Sequence, residues 1–513
     1  MIKRMASLLL AGTLLCLSGC GSWEDPAGDD VFQTLADYYG KDDEEKAPSS
    51  LTFFALPYYA GETADPITCS DGAQQVLGAL LYEGLFALTP ELEAQPMLAS
   101  GYSYDAASYT YTITLRDGVT FSDGTALSAR DVIYTLERAQ QSQRYAGRLA
   151  GVSQIYGSGN TVYIRLSSNN ASFVQRLDIP IVKYGTESRT FPVGTGPYVY
   201  QSDDAGSFLG VNSGWWQQKS LPLQRIELVS CKDSDTMSYA FYAREIQLLM
   251  CDLTATSTSN VYGSGDYIDA ATTTMQYIGI NTRRAPLNDP ALRQALSLGI
   301  DRSSCVSSFL LGHGSAAQFP LSPASSLYPE DLEQTYSPDY FDTAMKAAGY
   351  DGGTAVSLTL LVNSENGFKV SAAEKIAADL SRHDIQITVK SLPWSEYLQA
   401  LQAGNFDLYY GEIKLTADWD LRSLLSTGGS LNYGGYSNAE TDLLLQSLLS
   451  ADESGRAQAA RELCSHLQQQ CPILPVCFKN VSVLLPSDTV ESVVPTAANP
   501  FYNLPEWKID IKS

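Results

Sequence analysis

The chain has 513 residues, 44% hydrophobic and 18% charged, with 57 acidic against 33 basic side chains and a net charge of −24. At roughly 100–200 residues per domain this length asks for about three domains with ample core, not a disordered polymer. The acidic balance argues against nucleic acid, whose phosphates need a basic face, and against adhesion of the body to anionic lipid.

In chain order, a basic pair, Lys3 and Arg4, precedes an apolar run from Met5 to Leu17. The run has the length of a signal-peptide core and is too short to span a bilayer; no later segment spans one either. Leu17-Ser18-Gly19-Cys20 closes it. These four residues resemble a bacterial lipobox. The resemblance implies cleavage before Cys20, lipid on its thiol and export, with residues 1–19 as the signal. An ordinary signal peptide with an incidental cysteine is the alternative. Residues 20–49 carry Asp42-Asp43-Glu44-Glu45 and few core formers, so they read as an acidic extended spacer.

From Leu51 the pattern turns to strands. Leu51 to Leu56 is a short apolar run closed by Pro57. Tyr109, Tyr111, Ile113 and Leu115 alternate with Thr110, Thr112 and Thr114, which predicts a half-buried strand. Asp123-Gly124 predicts a turn, and Ser128 with Asp131 a capping box ahead of Val132, Ile133 and Leu136. Asp131 therefore reads as a helix-start residue. Val356 to Val362, then Ala373, Ile376, Ala377 and Leu380, then Ile385 and Ile387 predict a strand–helix–strand unit of an α/β layer. Leu443 to Leu449 reads as helix, and Ile473 to Phe478 as a late buried strand.

Beyond Cys16 and Cys20 there are seven cysteines, at 69, 231, 251, 305, 464, 471 and 477. An odd number cannot all pair within one chain. With no CxxC spacing and three scattered histidines, no metal site and no cofactor is expected. The thiols read as small apolar side chains. GxSxG, GxxxxGK[ST] and HExxH are absent, so no catalytic residues are nominated. Gly194-Thr195-Gly196-Pro197 reads as a tight turn into Tyr198-Val199-Tyr200.

Several blocks stand in a fixed order. They are Tyr82-Glu83-Gly84-Leu85, Pro96-Met97-Leu98-Ala99, Leu115 to Thr125 with Ala129-Arg130-Asp131-Val132, Pro192 to Tyr198, Trp215-Trp216, Arg293 to Leu296, Gly404 to Asp407 and Pro472 to Pro475. Together, over roughly residues 50–500, they resemble family 5 extracellular solute-binding proteins, the receptors of ABC importers for oligopeptides, dipeptides and nickel. The resemblance implies an α/β, two-lobed periplasmic-binding-protein-like fold of type II with an extra inserted domain and the ligand cleft between the lobes. It places lobe I at 50–80, 187–272 and 476–513, the inserted domain at 81–186 and lobe II at 273–475. The hinge falls near 272 and 476.

For ligand contact, the resemblance nominates Asp418 in Ala417-Asp418-Trp419 as partner of a peptide amino group. Trp419 would be an apolar or cation–π wall, and Thr68, Cys69, Ser70 and Asp71 would lie beside the ligand. The segment Leu361 to Asn366 lacks the arginine that dipeptide binders use for a carboxylate, which speaks against strict dipeptide recognition. Gly411-Glu412-Ile413-Lys414 also departs from the family's usual Gly-Trp. The implied function is a lipid-anchored, non-catalytic receptor on the outer face of the membrane, working as a monomer. It would capture oligopeptides and deliver them to a permease and ATPase complex. A receptor for a non-peptide solute, a sensor module and a secreted hydrolase are the alternatives, in that order.

Overall fold

The computed structural model describes residues 51–255, 265–353 and 355–511. The lipobox, Cys20 and the acidic spacer lie outside the described residues. Three large sheets organise the chain. The first runs in the order Ala55–Tyr58, Arg225–Ser230, Gly206–Val211, Tyr198–Asp203, with the first pair parallel. The expected strand at Leu51 to Leu56 starts later and passes through Pro57. That is tolerated because Ala55–Tyr58 is an edge strand, where a missing N–H breaks no ladder. The helix Gly72–Leu81 packs on this sheet through Leu77, Leu80 and Leu81, and the Asp71 carboxylate caps it by accepting from the Gln74 N–H at 2.7 Å.

The second sheet is antiparallel throughout: Ala99–Asp105, Thr110–Leu115, Thr161–Leu166, Val152–Ser158. Tyr111, Ile113 and Leu115 point into its core and Thr110, Thr112 and Thr114 away from it, as the alternation predicts, whereas Tyr109 stands exposed in the preceding turn at φ 54°. The helix Ala129–Ala139 covers the core. Its Asp131 carboxylate accepts from the Ser128 N–H and hydroxyl and from the Tyr184 N–H, so Asp131 is a structural capping acid.

The third sheet has seven strands. Its main path is Leu249–Cys251, Ile473–Leu485, Asp266–Ile280, Leu408–Lys414, Val356–Asn363, Ile385–Leu392, and Gly314–Ala316 pairs beside Ile473–Leu485. Val356–Asn363 is parallel to both its neighbours, with the helix Gly367–Leu380 as crossover. Two strands are unusually long, Asp266–Ile280 with 15 residues and Ile473–Leu485 with 13. Their pairing breaks register between Ala271 and Met275. There the Thr272 hydroxyl donates to the Lys479 carbonyl and the Thr273 hydroxyl to the Leu415 carbonyl, both at 2.6 Å. Side chains on one end of these strands join the core of the first sheet (Val483, Leu485), and those on the other join the cores of the large sheet (Met275, Ile278, Leu474).

The glycine-rich block does more than turn. A Cβ on Gly194 would lie 2.0 Å from the Leu81 carbonyl oxygen, and one on Gly196 2.4 Å from that of Leu80. Only glycine lets this segment lie against the end of the helix. The approach brings Thr195 to Glu83.

Candidate ligand site

Glu83 is buried and its carboxylate collects four donors. Thr195 Oγ1 and Trp216 Nε1 donate to Oε2 at 2.8 and 2.7 Å, and Trp215 Nε1 and Gln217 Nε2 to Oε1 at 3.1 and 3.2 Å. Burial raises the Glu83 carboxyl above its ordinary value and the four donors partly offset this. Three blocks that stand apart in the sequence are thereby tied at one acid.

Beside this joint opens a cavity of about 1160 Å³. Gln74, Gln75 and Gly78 of the helix Gly72–Leu81 line it, with the segment from Tyr82 to Met97, the segment from Gln143 to Arg148, Thr272 to Thr274, Lys414 to Ala417, and residues 494–506. It is thus bounded by strands of the large sheet, Asp266–Ile280, Ile473–Leu485 and Leu408–Lys414, by the helix packed on the first sheet, and by Arg116, which follows a strand of the second. Five cations, Arg116, Arg144, Arg148, Lys219 and Lys414, and three acids, Glu83, Asp178 and Glu506, face it. The Arg148 guanidinium binds the Asp178 carboxylate. Burial pushes Arg148 down to about 10, with like charge from Arg176 and Arg144 adding to the fall. Desolvation lowers the Lys414 ammonium too, followed by repulsion from Arg148 and Arg144.

The residues nominated from sequence occupy different places. Asp418 is fully buried behind Ala417 and does not face the cavity. Its Oδ2 accepts from Arg176 Nε at 2.6 Å and Asn170 Nδ2 at 2.7 Å, while Oδ1 has no hydrogen-bond partner among the described residues. Arg176 continues to Asp420 at 3.0 Å, which Arg422 also holds at 2.8 Å. Burial works against ionised Asp420, but Arg422 and Arg176 keep its carboxyl below the ordinary value. Asp418 thus stands in a charge chain that starts from Arg176 in the Phe173–Arg176 turn and runs to Asp420 and Arg422. Trp419 is 1% exposed and packs edge-on against Phe478 at 6.1 Å, inside the core of the large-sheet lobe rather than on the cavity wall. Thr68 and Ser70 are exposed, Cys69 is buried with its thiol on Asp71, and Asp71 caps the helix. None of these four lines the cavity, although their neighbours Pro66, Gln74 and Gln75 do. The segment lies beside the cavity, and other residues of it face inward. Arg144, Arg148 and Arg176 were not nominated from sequence, since no local signature marks them among 33 basic residues. Lys414 drew notice only as a departure from the family pattern.

The long strand Ile473–Leu485 anchors a second charge network. Lys479, 4% exposed, binds Asp252 at 2.5 Å and Glu412 at 3.6 Å, and Lys369 reaches Glu412 at 3.0 Å. Nearby, His313 Nδ1 meets Asp269 at 2.9 Å and the Ser482 hydroxyl at 3.3 Å. Serine and acid sit on the same ring nitrogen, so this group lacks the serine–base–acid relay of a hydrolase. All seven cysteines of the described residues are free thiols. No helix among the described residues is long and apolar enough to cross a membrane.

A cavity between α/β units joined by two long crossing strands defines a two-lobed binding protein. The comparisons agree. The model of bacterial extracellular solute-binding proteins, family 5, matches residues 93–433, and the chain belongs to this family. The glutathione-binding protein GsiB of Salmonella typhimurium is 27% identical over 82% of this chain and 87% of its own. The Escherichia coli K12 GsiB is 26% identical over the same shares. Among solved structures, the unliganded open form of the periplasmic murein tripeptide binding protein MppA superposes with a TM-score of 0.75 at 19% identity, covering 90% of this chain and 99% of the other. The oligopeptide-binding protein AppA of Bacillus subtilis, in complex with a nonapeptide, gives 0.59 at 20% identity, covering 90% and 99%. The fold is therefore the two-lobed solute-binding fold, and the chain is the extracellular or periplasmic substrate-binding component of an ABC importer.

Proposed function

We propose that the chain captures short peptides in the cavity beside Glu83 and passes them, unaltered, to its permease. It would act as a monomer held to the outer face of the membrane by lipid on Cys20. The cavity of about 1160 Å³ carries the reading: it exceeds the roughly 300–1,000 Å³ typical of small-molecule sites. Tripeptide-, nonapeptide- and glutathione-binding relatives support a peptide ligand. Residues 50–80, 187–272 and 476–513 would form one lobe with 81–186 inserted, and 273–475 the other. Closure would bend the long strands near Thr272 and Lys479, where their register already breaks.

The orphan Oδ1 of Asp418 supports a second reading, in which a ligand ammonium approaches past Ala417 to complete that carboxylate. Thr68 to Asp71 would then flank the same end of the ligand. Calorimetry with free and N-acetylated peptides separates the two; equal affinity leaves Asp418 as a structural acid.

Mass spectrometry of ligand released from the purified chain tests the main reading. Recovered peptides that survive incubation uncleaved support it, and recovery of only non-peptide solutes overturns it. Labelled palmitate should enter the wild-type chain in its native host and not Cys20→Ser.

A further inference from the structure

We propose that Arg144 and Lys414 form an anion subsite in the cavity, so that the receptor selects peptides by a carboxylate. The proposal rests on the cavity being the ligand site.

The cavity reverses the electrostatics of the chain. A protein of net charge −24 lines it with five cations and three acids. The acids are occupied: Glu83 by four donors, Asp178 by Arg148, and Glu506 by Asn503 at 3.5 Å. Two of the cations are occupied too. Arg148 has Asp178, and Arg116 donates to the Met97 and Ala99 carbonyls while lying 4.9 Å from the Trp216 ring. Arg144 and Lys414 have no hydrogen bond or ion pair among the described residues. Both are solvent-accessible, and Arg144 touches only the face of its neighbour Tyr145, at 5.2 Å. Lys219 is also free but is not among the charges acting on Lys414.

Arg144 and Lys414 line the same cavity from different elements. Arg144 sits on the loop that follows the helix Ala129–Ala139, and Lys414 ends the strand Leu408–Lys414 of the large sheet. Desolvation, and after it the like charges of Arg148 and Arg144, raises the cost of keeping Lys414 ionised. A cluster of like charges in a half-enclosed space is unfavourable when empty and becomes favourable when an anion sits between its members. Because one cation stands on a loop and the other on the large sheet, an anion held by both would tie those two segments together. Ligand charge would thereby be coupled to lobe closure.

The test uses the purified full chain and the peptides Ala-Glu-Ala, Ala-Gln-Ala and Ala-Gln-Ala amide, with succinate as a non-peptide dicarboxylate. Calorimetry should show affinity falling about tenfold or more with at least one of the two carboxylates removed, as expected for one lost charge-assisted contact. The identity of that step says whether a side-chain or a C-terminal carboxylate is read. Arg144→Gln and Lys414→Gln should each collapse the ratio toward one, and Lys414→Arg should restore it. Both positions are exposed, so melting temperatures of the unliganded variants control for folding. Equal affinity for all three peptides, or a ratio that survives both glutamine variants, overturns the subsite. Succinate binding that is lost in the variants, without any peptide binding, would retain the subsite and discard the peptide reading. No binding of peptide or succinate discards both.

Discussion

Replacing Arg176 with methionine tests the charge chain that reaches Asp418. Arg176 makes two charge-assisted hydrogen bonds, to Asp418 at 2.6 Å and to Asp420 at 3.0 Å, and its side chain is 8% exposed. Asp418 is 0% exposed and would keep only Asn170 as a hydrogen-bond partner. Counted by bonds, two contacts of roughly 1.5–3 kcal/mol each suggest about 3–6 kcal/mol. Counted as a buried charge stripped of its partner, the cost is roughly 3–5 kcal/mol. The two ranges overlap at about 3–5 kcal/mol, and because Asp420 keeps Arg422 most of the loss falls on Asp418. Urea unfolding followed by tryptophan fluorescence and circular dichroism would read the change. Removing the acid as well, in Arg176→Met with Asp418→Leu, should recover much of the loss, since no unpaired carboxylate then stays buried. A single-variant cost under about 1 kcal/mol, or a double variant as unstable as the single, would refute the reasoning.

Glu83→Ala should destabilise by roughly 2–6 kcal/mol. It strands the buried donors of Thr195 and Trp215 at about 1–3 kcal/mol each, and chemical denaturation of the variant checks this. The Asp420 carboxyl lies below its ordinary value of 3.8 when folded, so its pairing stabilises above that pH and fades as pH falls through the lower folded value. The stability gap between wild type and Asp420→Asn should therefore be flat near neutrality and narrow below about pH 4 in acid titrations. Desolvation pushes Cys69 up to about 12 and Cys231 to about 11, and six of the seven described thiols are buried. A thiol reagent at neutral pH should label these positions slowly in the native chain and rapidly in urea.

What the sequence disclosed follows from how each element is buried. The strand Thr110–Leu115 shows clean alternation because one face meets the core and the other does not. The strand Asp266–Ile280 gives no such signal. Its run Ala-Ala-Thr-Thr-Thr-Met lies mid-sheet between Ile473–Leu485 and Leu408–Lys414, with most positions covered on both faces, and its register break adds a further irregularity. Capping boxes and glycine turns depend on neighbours in the chain, so Ser128 with Asp131 is readable. Glu83, Thr195 and Trp215 are visible only as separate words, because the carboxylate that joins them acts across more than a hundred residues.

The candidate site shows the same divide more sharply. Resemblance singles out Asp418 as an acid in the right segment. What decides its availability is Arg176, which lies 242 residues away and takes its Oδ2. A carboxylate held by an arginine in a dry interior is expensive to release, so a ligand ammonium would have to reach Oδ1 alone or displace a contact of several kcal/mol. Arg144 and Lys414 meet neither requirement for recognition in a sequence, since they form no motif and are drawn together only by the fold. With Lys219 they are nevertheless the cations that face the cavity without a partner among the described residues, and a site left electrostatically incomplete by its own protein is the place where a ligand's charge has most to contribute.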